Sequence, residues 1–320
     1  TCLVQETMLP SPRMESEEES VLVFAGIRGY GDFNPKAATK AYLRTRIMTG
    51  NPPKKVVHGS IEIAPFGKHH NLSSAEIARH LDHEGSVDDV VKQLKPHVEQ
   101  FGATDVAFPP ILGVRNAGKN KTRIEEELGI RAFELLGFPP SVPGLRLQKS
   151  LEQIFVSRGG NLLPGHEAVS YSLDDGLLDS LTVRGPRRTI KARARAFVLA
   201  TGKFIGGGLS GDITGIRENV FDLMTVTSEF YSAERAIPTR STNRVAISPL
   251  GQPLYSCGLS ADPHLRPVKR DGTEWAANLF CAGAVLAGYN YASEKSGLGV
   301  AATTGRVAAK NAKQYLREVS

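Results

Sequence analysis

Three glycine-bearing turns have the residue types and spacing to hold a ligand. Gly26-Ile27-Arg28-Gly29-Tyr30-Gly31 closes an apolar run that starts at Val21. Ala200-Thr201-Gly202 closes a second apolar run. Ser296-Gly297-Leu298-Gly299 opens an alanine-rich stretch. Small residues at such places let backbone amides approach a phosphate or a flat ring. The first turn is the weakest of the three. Its order is G-x-x-G-x-G, whereas a dinucleotide diphosphate is cradled by G-x-G-x-x-G. No Lys-Ser or Lys-Thr follows Gly31, so it is no P-loop either. It predicts a strand and a glycine-rich turn of an α/β domain.

The other two turns carry more chemistry. In "ARAFVLATGKFIGGGL" a strand runs into Ala200-Thr201-Gly202 after a charged, strand-rich stretch. In "NLFCAGAVLAGYNYASEKSGLGVAATTGRVAAKNA" a strand ends at Cys281-Ala282-Gly283, and a long helix opens at Gly297. A helix N-terminus offers free N–H groups and a partial positive charge. Gly297 and Gly299 remove the Cβ atoms that would block an approach to it. No side chain stands out as a general base, so no catalytic residue is assigned. His80 and His83 share a helix face, and His69 and His70 are adjacent, but no thiol or acid at ligand spacing completes a metal site. Cys2, Cys257 and Cys281 form neither a disulfide framework nor a C-x-x-C knuckle, which points to a reducing compartment.

The elements that must position these turns follow from patterning. The 320 residues are 41% hydrophobic and 22% charged, ordinary for a globular protein. No window holds the roughly 18 to 20 apolar residues of a membrane span. The opening "TCLVQETMLPSPRMESEEES" has no secretory pattern and no initiator Met, which suggests a truncated, processed or split chain. The net charge is +6. The densest basic patch, Arg184 to Phe197, has one aromatic residue and reads as a solvated hairpin rather than a nucleic-acid surface.

Residues 1–20 read as a polar connector. Strands are expected at Val21–Phe24, Val56–Phe66 and Asp105–Gly113. Helices are expected at Asn34–Gly50, after Ser73, and over "VDDVVKQLKPHVEQFG". Asn34 is placed to cap the first helix with Pro35 behind it, and Ser73 with Glu76 makes a capping box. This β-α-β-α-β order predicts a small parallel sheet. Residues 120–140 read as a short helix and loop. A further helix runs from Pro143 to Gly159-Gly160. A β meander follows, turning at Asp174-Asp175-Gly176, with "AFVLA" as its last, buried strand.

Together and in this order, the two later turns resemble the C-terminal half of an FAD-dependent two-dinucleotide-binding flavoprotein. "FPPSVPGLRLQKSLEQIFVSRGGNLLPG", "FVLATGKFIGGGL", "GIRENVFDL", "LSADPHLRP" and "NLFCAGAVLAGY" look like signatures of the B subunit of the bacterial anaerobic glycerol-3-phosphate dehydrogenase family. "GIRGYGDF" and "AEIARHLDHE" match its middle region, so the resemblance covers nearly the whole chain. It implies an α/β fold: an incomplete Rossmann-like FAD-binding domain with a β meander and an inserted small parallel α/β domain. The implied division is 1–20 connector, 21–140 inserted substrate or cap-like domain, and 141–320 C-terminal part of the FAD-binding domain. The family's true G-x-G-x-x-G loop lies upstream of the point that Thr1 matches.

The resemblance implies FAD or FMN as cofactor. It places Ala200, Thr201 and Gly202 on the nucleotide part, Ala282 and Gly283 near the ribityl chain, and Gly297, Leu298 and Gly299 at the ring. Arg146, Arg217 and Arg266 fall in matching motifs and are candidates for a phosphate or a flavin oxygen, with structural ion pairs as the alternative. His264 adjoins a matching motif at a position the family does not require. The implied partners are a catalytic flavoprotein (the A subunit) and an iron–sulfur protein (the C subunit) that passes electrons to quinone. A separate chain supplying the N-terminal FAD-binding part is a further implied partner. No nucleic acid is implied, and the implied location is cytoplasmic, peripheral to the membrane through partners. Two other functions stay open: a scaffold protein without flavin, or a flavin-dependent dehydrogenase of another small hydroxy or amino acid.

Overall fold

The structure is a computed structural model that describes residues 5–11, 20–50, 55–63, 66, 71–227, 237–238, 241–245, 248 and 250–319. Cys2, His69 and His70 lie outside the described residues. The chain divides into two compact units, one within Val4–Leu162 and one within Leu163–Ser320.

The first unit is built on a four-stranded parallel sheet. Its strands are β1 (Val21–Ile27), β2 (Lys55–Ile61), β3 (Asp105–Phe108) and β4 (Arg131–Glu134), in the order β2-β1-β3-β4. Every residue of β1 is buried, which is how a central parallel strand reads when both faces are covered. One face packs Val23, Ile61, Ile77, Leu94, Val106 and Phe108, and the other packs Leu22, Phe24 and Ala107. The helices are α1 (Pro35–Met48), α2 (Ser74–His80), α3 (Ser86–Phe101), α4 (Ala117–Leu128) and α5 (Val142–Ser157).

The local signals hold at several ends. Asn34 Oδ1 accepts the Ala37 N–H at 3.0 Å. Ser73 and Glu76 close a reciprocal capping box ahead of α2. His80 packs edge-on to Phe66, with the His83 ring 6.2 Å away. The first glycine turn serves packing. A Cβ at Gly26 would lie 2.5 Å from Pro35 Cγ, so the glycine lets the start of α1 settle against β1.

One expectation is changed by this unit. Residues 120–140 contain β4, a full strand of the sheet, as well as α4. Residues 5–11 are tied to the unit. Ser11 Oγ donates to Glu125 at 3.0 Å, and Thr7 is buried against Arg146. The division between the compact units falls at Leu162/Leu163, so α5 is counted with this unit.

The second unit opens with the meander β5 (Glu167–Asp174), β6 (Leu177–Arg184) and β7 (Thr189–Arg193), all antiparallel. Asp175 (φ 46°) and Gly176 (φ 74°) make the tight turn. The basic patch lies on this hairpin. Lys191 and Arg193 each sit 3.7 Å from Asp179, and Arg184 pairs with Glu167. The expected last strand of the meander is instead β8 (Phe197–Leu199), which pairs in parallel with β13 (Leu279–Cys281). Leu199 is buried, but Val198 is 47% exposed, so the strand is not enclosed. Two short antiparallel pairs complete the strands: β9 (Leu209–Asp212) with β10 (Gly215–Glu218), and β11 (Thr225–Val226) with β12 (Gly258–Leu259). The core gathers Leu178, Leu199, Ile216, Leu259, Leu279 and Val285. Helices α6 (Tyr291–Glu294) and α7 (Gly297–Glu318) end the chain.

Asn278 docks the meander on the parallel pair. Its Oδ1 accepts Leu178 N–H at 2.9 Å, and its Nδ2 donates to Leu178 O at 2.8 Å and Arg195 O at 3.3 Å.

Candidate functional site

The parallel pairing of β8 and β13 brings the predicted turns together. Their register sets Leu199 opposite Cys281, so Ala200-Thr201 and Ala282-Gly283 leave the sheet side by side. The Ala282 N–H donates to Leu199 O at 2.9 Å. Gly283 has φ 73°, and its N–H donates to Thr304 Oγ1 on α7 at 2.8 Å. The second turn of α7 therefore packs on Gly283, one turn beyond Gly297, Leu298 and Gly299 at the helix start. Ser296 gives α7 no side-chain cap, since its Oγ donates to Glu294 instead. The orphan amides of that helix end are thus left for water or a ligand.

After β8 the chain folds back on itself. Gly202 has φ 79°, and the Gly208 N–H donates to Lys203 O at 2.9 Å. A Cβ at Gly208 would lie 2.1 Å from Gly202 O and 2.6 Å from Thr201 Oγ1. One at Gly206 would lie 2.8 Å from Thr201 O. Only glycine fits those two places without a shift of backbone. Thr201 Oγ1 is buried in this turn and has no hydrogen-bond partner among the described residues. Buried hydroxyls are nearly always satisfied, so this one calls for a polar ligand. A cavity of about 160 Å³ adjoins the turn, lined by Phe197, Leu199, Ala200, Thr201 and Val220 among others. A glycine cradle, an orphaned hydroxyl and an uncapped helix end fit a dinucleotide with phosphate and ring oxygens to place.

Lys203 carries the one charge of the turn, and sequence reasoning missed it. Its side chain is buried, with the residue 6% exposed. Nζ donates to Tyr255 O at 2.6 Å and lies 4.7 Å from the centre of the Tyr289 ring. Burial pushes this ammonium down to about 8. The signal was present, a lysine directly after Ala-Thr-Gly, but its burial depends on residues over fifty positions away. Burial also pushes the Cys257 thiol up to about 11 and raises Cys281, so neither is poised as a thiolate. Glu218 is raised by burial too, although it accepts the Val220 and Phe221 N–H groups.

The three arginines stand in ion pairs. Arg146 is buried in the first unit. It grips both carboxylate oxygens of Glu134 and donates to Gly113 O at 2.7 Å and to Thr7 Oγ1 at 3.1 Å. Arg217 reaches Asp212 at 3.1 Å and Thr214 at 2.8 Å on its own hairpin. Arg266 is held by Asp262 at 2.9 Å and by Glu274. Each guanidinium thus has an acidic partner within its own unit. His264 sits beside Arg266, Asn311 and Tyr315 at the rim of a cavity of about 230 Å³, away from the glycine turns in sequence. Among the described residues no three metal-ligating side chains cluster. No helix among them is long and apolar enough to cross a membrane.

Residues 13–300 match the FAD binding domain family, and the chain belongs to that family. FAD is the cofactor of this class. Among curated relatives, the chain is 27% identical over 320 residues to the anaerobic glycerol-3-phosphate dehydrogenase B subunit of Vibrio vulnificus (strain CMCP6), covering 97% of this chain and 69% of the relative. It is 28% identical over 297 residues to the protein of the same name in Vibrio cholerae (strain N16961 of serotype O1 El Tor Inaba), covering 92% of this chain and 65% of that one. A probable anaerobic glycerol-3-phosphate dehydrogenase B subunit of Halobacterium salinarum (strain R1) is 32% identical over 216 residues, 68% of this chain and 48% of the relative. The chain thus spans from about half to about two thirds of the length of these relatives.

Proposed function

We propose that this chain is part of the flavoprotein electron-transfer component of a glycerol-3-phosphate dehydrogenase-like complex. The observation that carries the reading is similarity to the B subunits of such enzymes across 97% of the chain. In this reading the complex converts sn-glycerol 3-phosphate to dihydroxyacetone phosphate. Its other members are a catalytic flavoprotein, the A subunit, and an iron–sulfur protein, the C subunit. Electrons leave through the iron–sulfur protein to quinone. The chain meets the membrane only through those partners, on the cytoplasmic side. The second unit is the C-terminal part of a Rossmann-like FAD-binding domain, and the first unit is the α/β domain inserted into it.

FAD, when bound, supplies hydride-accepting chemistry that no side chain of the site can provide. The chain's own residues bind and orient it. Ala200, Thr201 and Gly202 would meet the nucleotide part, with Thr201 Oγ1 gaining the partner it lacks. Ala282 and Gly283 would flank the ribityl chain. Gly297, Leu298 and Gly299 would offer the α7 amides and their partial positive charge to ring oxygens. Arg146, Arg217 and Arg266 are candidates for an anion of the substrate or flavin only where they can leave their present ion pairs, and no catalytic residue is assigned.

The test is an absorbance scan of the purified protein with its partners, followed by substrate. Flavin bands that bleach with sn-glycerol 3-phosphate support the reading. Bands that bleach only with another hydroxy or amino acid would replace the substrate. A stable complex without flavin bands, indifferent to Gly297→Val, would make the chain a scaffold.

A further inference from the structure

We propose that Lys203 is the receiving charge for a phosphate group in the turn after β8. The inference rests on the proposed function for its ligands: the diphosphate of a dinucleotide and the phosphate ester of a substrate share this chemistry.

Three observations converge on it. First, the ammonium is buried and incompletely answered. It has three N–H donors. One meets Tyr255 O at 2.6 Å and one faces the Tyr289 ring at 4.7 Å. Among the described residues no carboxylate lies within 4.0 Å of it. The acid that acts on it through space, Glu294, is already occupied by the Asn290 N–H at 2.7 Å and Ser296 Oγ at 3.0 Å. Burying a cation without an anion is costly, so proteins rarely keep one without a use for it.

Second, Thr201 Oγ1, two residues before Lys203 in the same turn, is a buried hydroxyl with no hydrogen-bond partner among the described residues. The turn thus holds two polar groups, a hydroxyl and an ammonium, that an oxygen-rich ligand could answer. Third, the segments that hold the ammonium form the wall of a cavity. Pro253, Ser256, Gly288, Tyr289 and Asn290 line a space of about 270 Å³. Tyr255 and Tyr289, which hold Lys203, belong to those same two segments.

A simple clamp between Tyr255 and Tyr289 would rest on the hydrogen bond to Tyr255 O and the cation over the Tyr289 ring, both of which Lys203→Met removes at a loss of stability. The two roles therefore make opposite demands on Lys203→Met. The first measurement is the melting temperature of the flavin-free protein, wild type against Lys203→Met. The second is ligand affinity, by flavin fluorescence for FAD and by melting-temperature shift for inorganic phosphate and sn-glycerol 3-phosphate. The expected result is a flavin-free variant at least as stable as wild type, with about tenfold or greater loss of affinity for a phosphate ligand. Loss for FAD alone assigns the charge to the cofactor, and loss for the two smaller phosphates assigns it to the substrate. Affinities for all three ligands within about twofold of wild type overturn the proposal.

If Lys203→Met fails to fold, the wild-type pH profile decides. The groups facing the ammonium are Glu294, the Cys257 thiol and the Tyr289 ring. Phosphate affinity should fall as pH rises through about 8, where the ammonium loses its proton; a flat profile overturns the assignment. A wild type that binds inorganic phosphate through Lys203 but no FAD would keep this proposal and sink the flavoprotein reading. A wild type that binds no phosphate ligand sinks both.

Discussion

Arg146 and Lys203 are two buried cations that the sequence presents in opposite ways. Arg146 stands in a motif that suggests an anion hook, yet its guanidinium is spent on Glu134, Gly113 and Thr7. Arg146→Ala leaves the Glu134 carboxylate buried and unpaired, and should cost about 3–5 kcal/mol in urea unfolding. A double change to well-packed apolar residues at 134 and 146 should recover most of that loss. Lys203 is not among the residues the sequence singles out, because nothing local tells a lysine in a turn that it will be buried. Its depressed basicity has a definite sign. The unfolded chain holds a proton between about pH 8 and the ordinary 10.5 that the folded chain has released. Stability from this group therefore rises with pH through that window, and Lys203→Met should flatten the rise in a melting series from pH 7 to pH 10. Gly208→Ala is the sharpest steric test. Its Cβ meets a carbonyl oxygen at 2.1 Å, so the turn must move, with a loss of roughly 2–4 kcal/mol in thermal or urea unfolding.

At the scale of elements, the ends of helices were legible and the pairing of strands was less so. The Asn34 and Ser73 caps act within three residues, and the structure keeps both. Ser73→Ala should cost about 1 kcal/mol and loosen hydrogen-exchange protection over α2 first. β4 was hidden because four residues, Arg131 to Glu134, carry too short a pattern to separate strand from loop. The partner of β8 was hidden for a different reason. "AFVLA" reads as a strand in any pairing, and only β13, some eighty residues later, makes it parallel. Asn278 is the pin of that arrangement. Asn278→Ala strands both the N–H and the C=O of Leu178 without their side-chain partners. We expect a loss of about 2–3 kcal/mol in denaturant unfolding, with the meander losing amide protection first.

For the molecule as a whole, the α/β class was readable from the alternation of helices and strands, and the family from motifs spread along the chain. The division at Leu162/Leu163 leaves no local mark in the sequence, since helix α5 carries the same amphipathic pattern whichever unit it joins. Arg158 follows α5, and residues 159–163 cross the division with exposed side chains over most of their length. Brief trypsin treatment of the whole protein should cut after Arg158 before most other sites, giving two products on a denaturing gel. Early cleavage inside α3 or α7 instead would show that the units open before this segment is cut.

The turn from Gly202 to Gly208 also bears on how this protein can diverge. Gly206 and Gly208 are held by collisions, and Gly202 and Gly207 by positive φ. Between them Ile205 is 99% exposed. Substitutions should therefore be purged at the glycines and accumulate at Ile205, so a saturation library of this loop would return a rigid frame around one freely drifting letter.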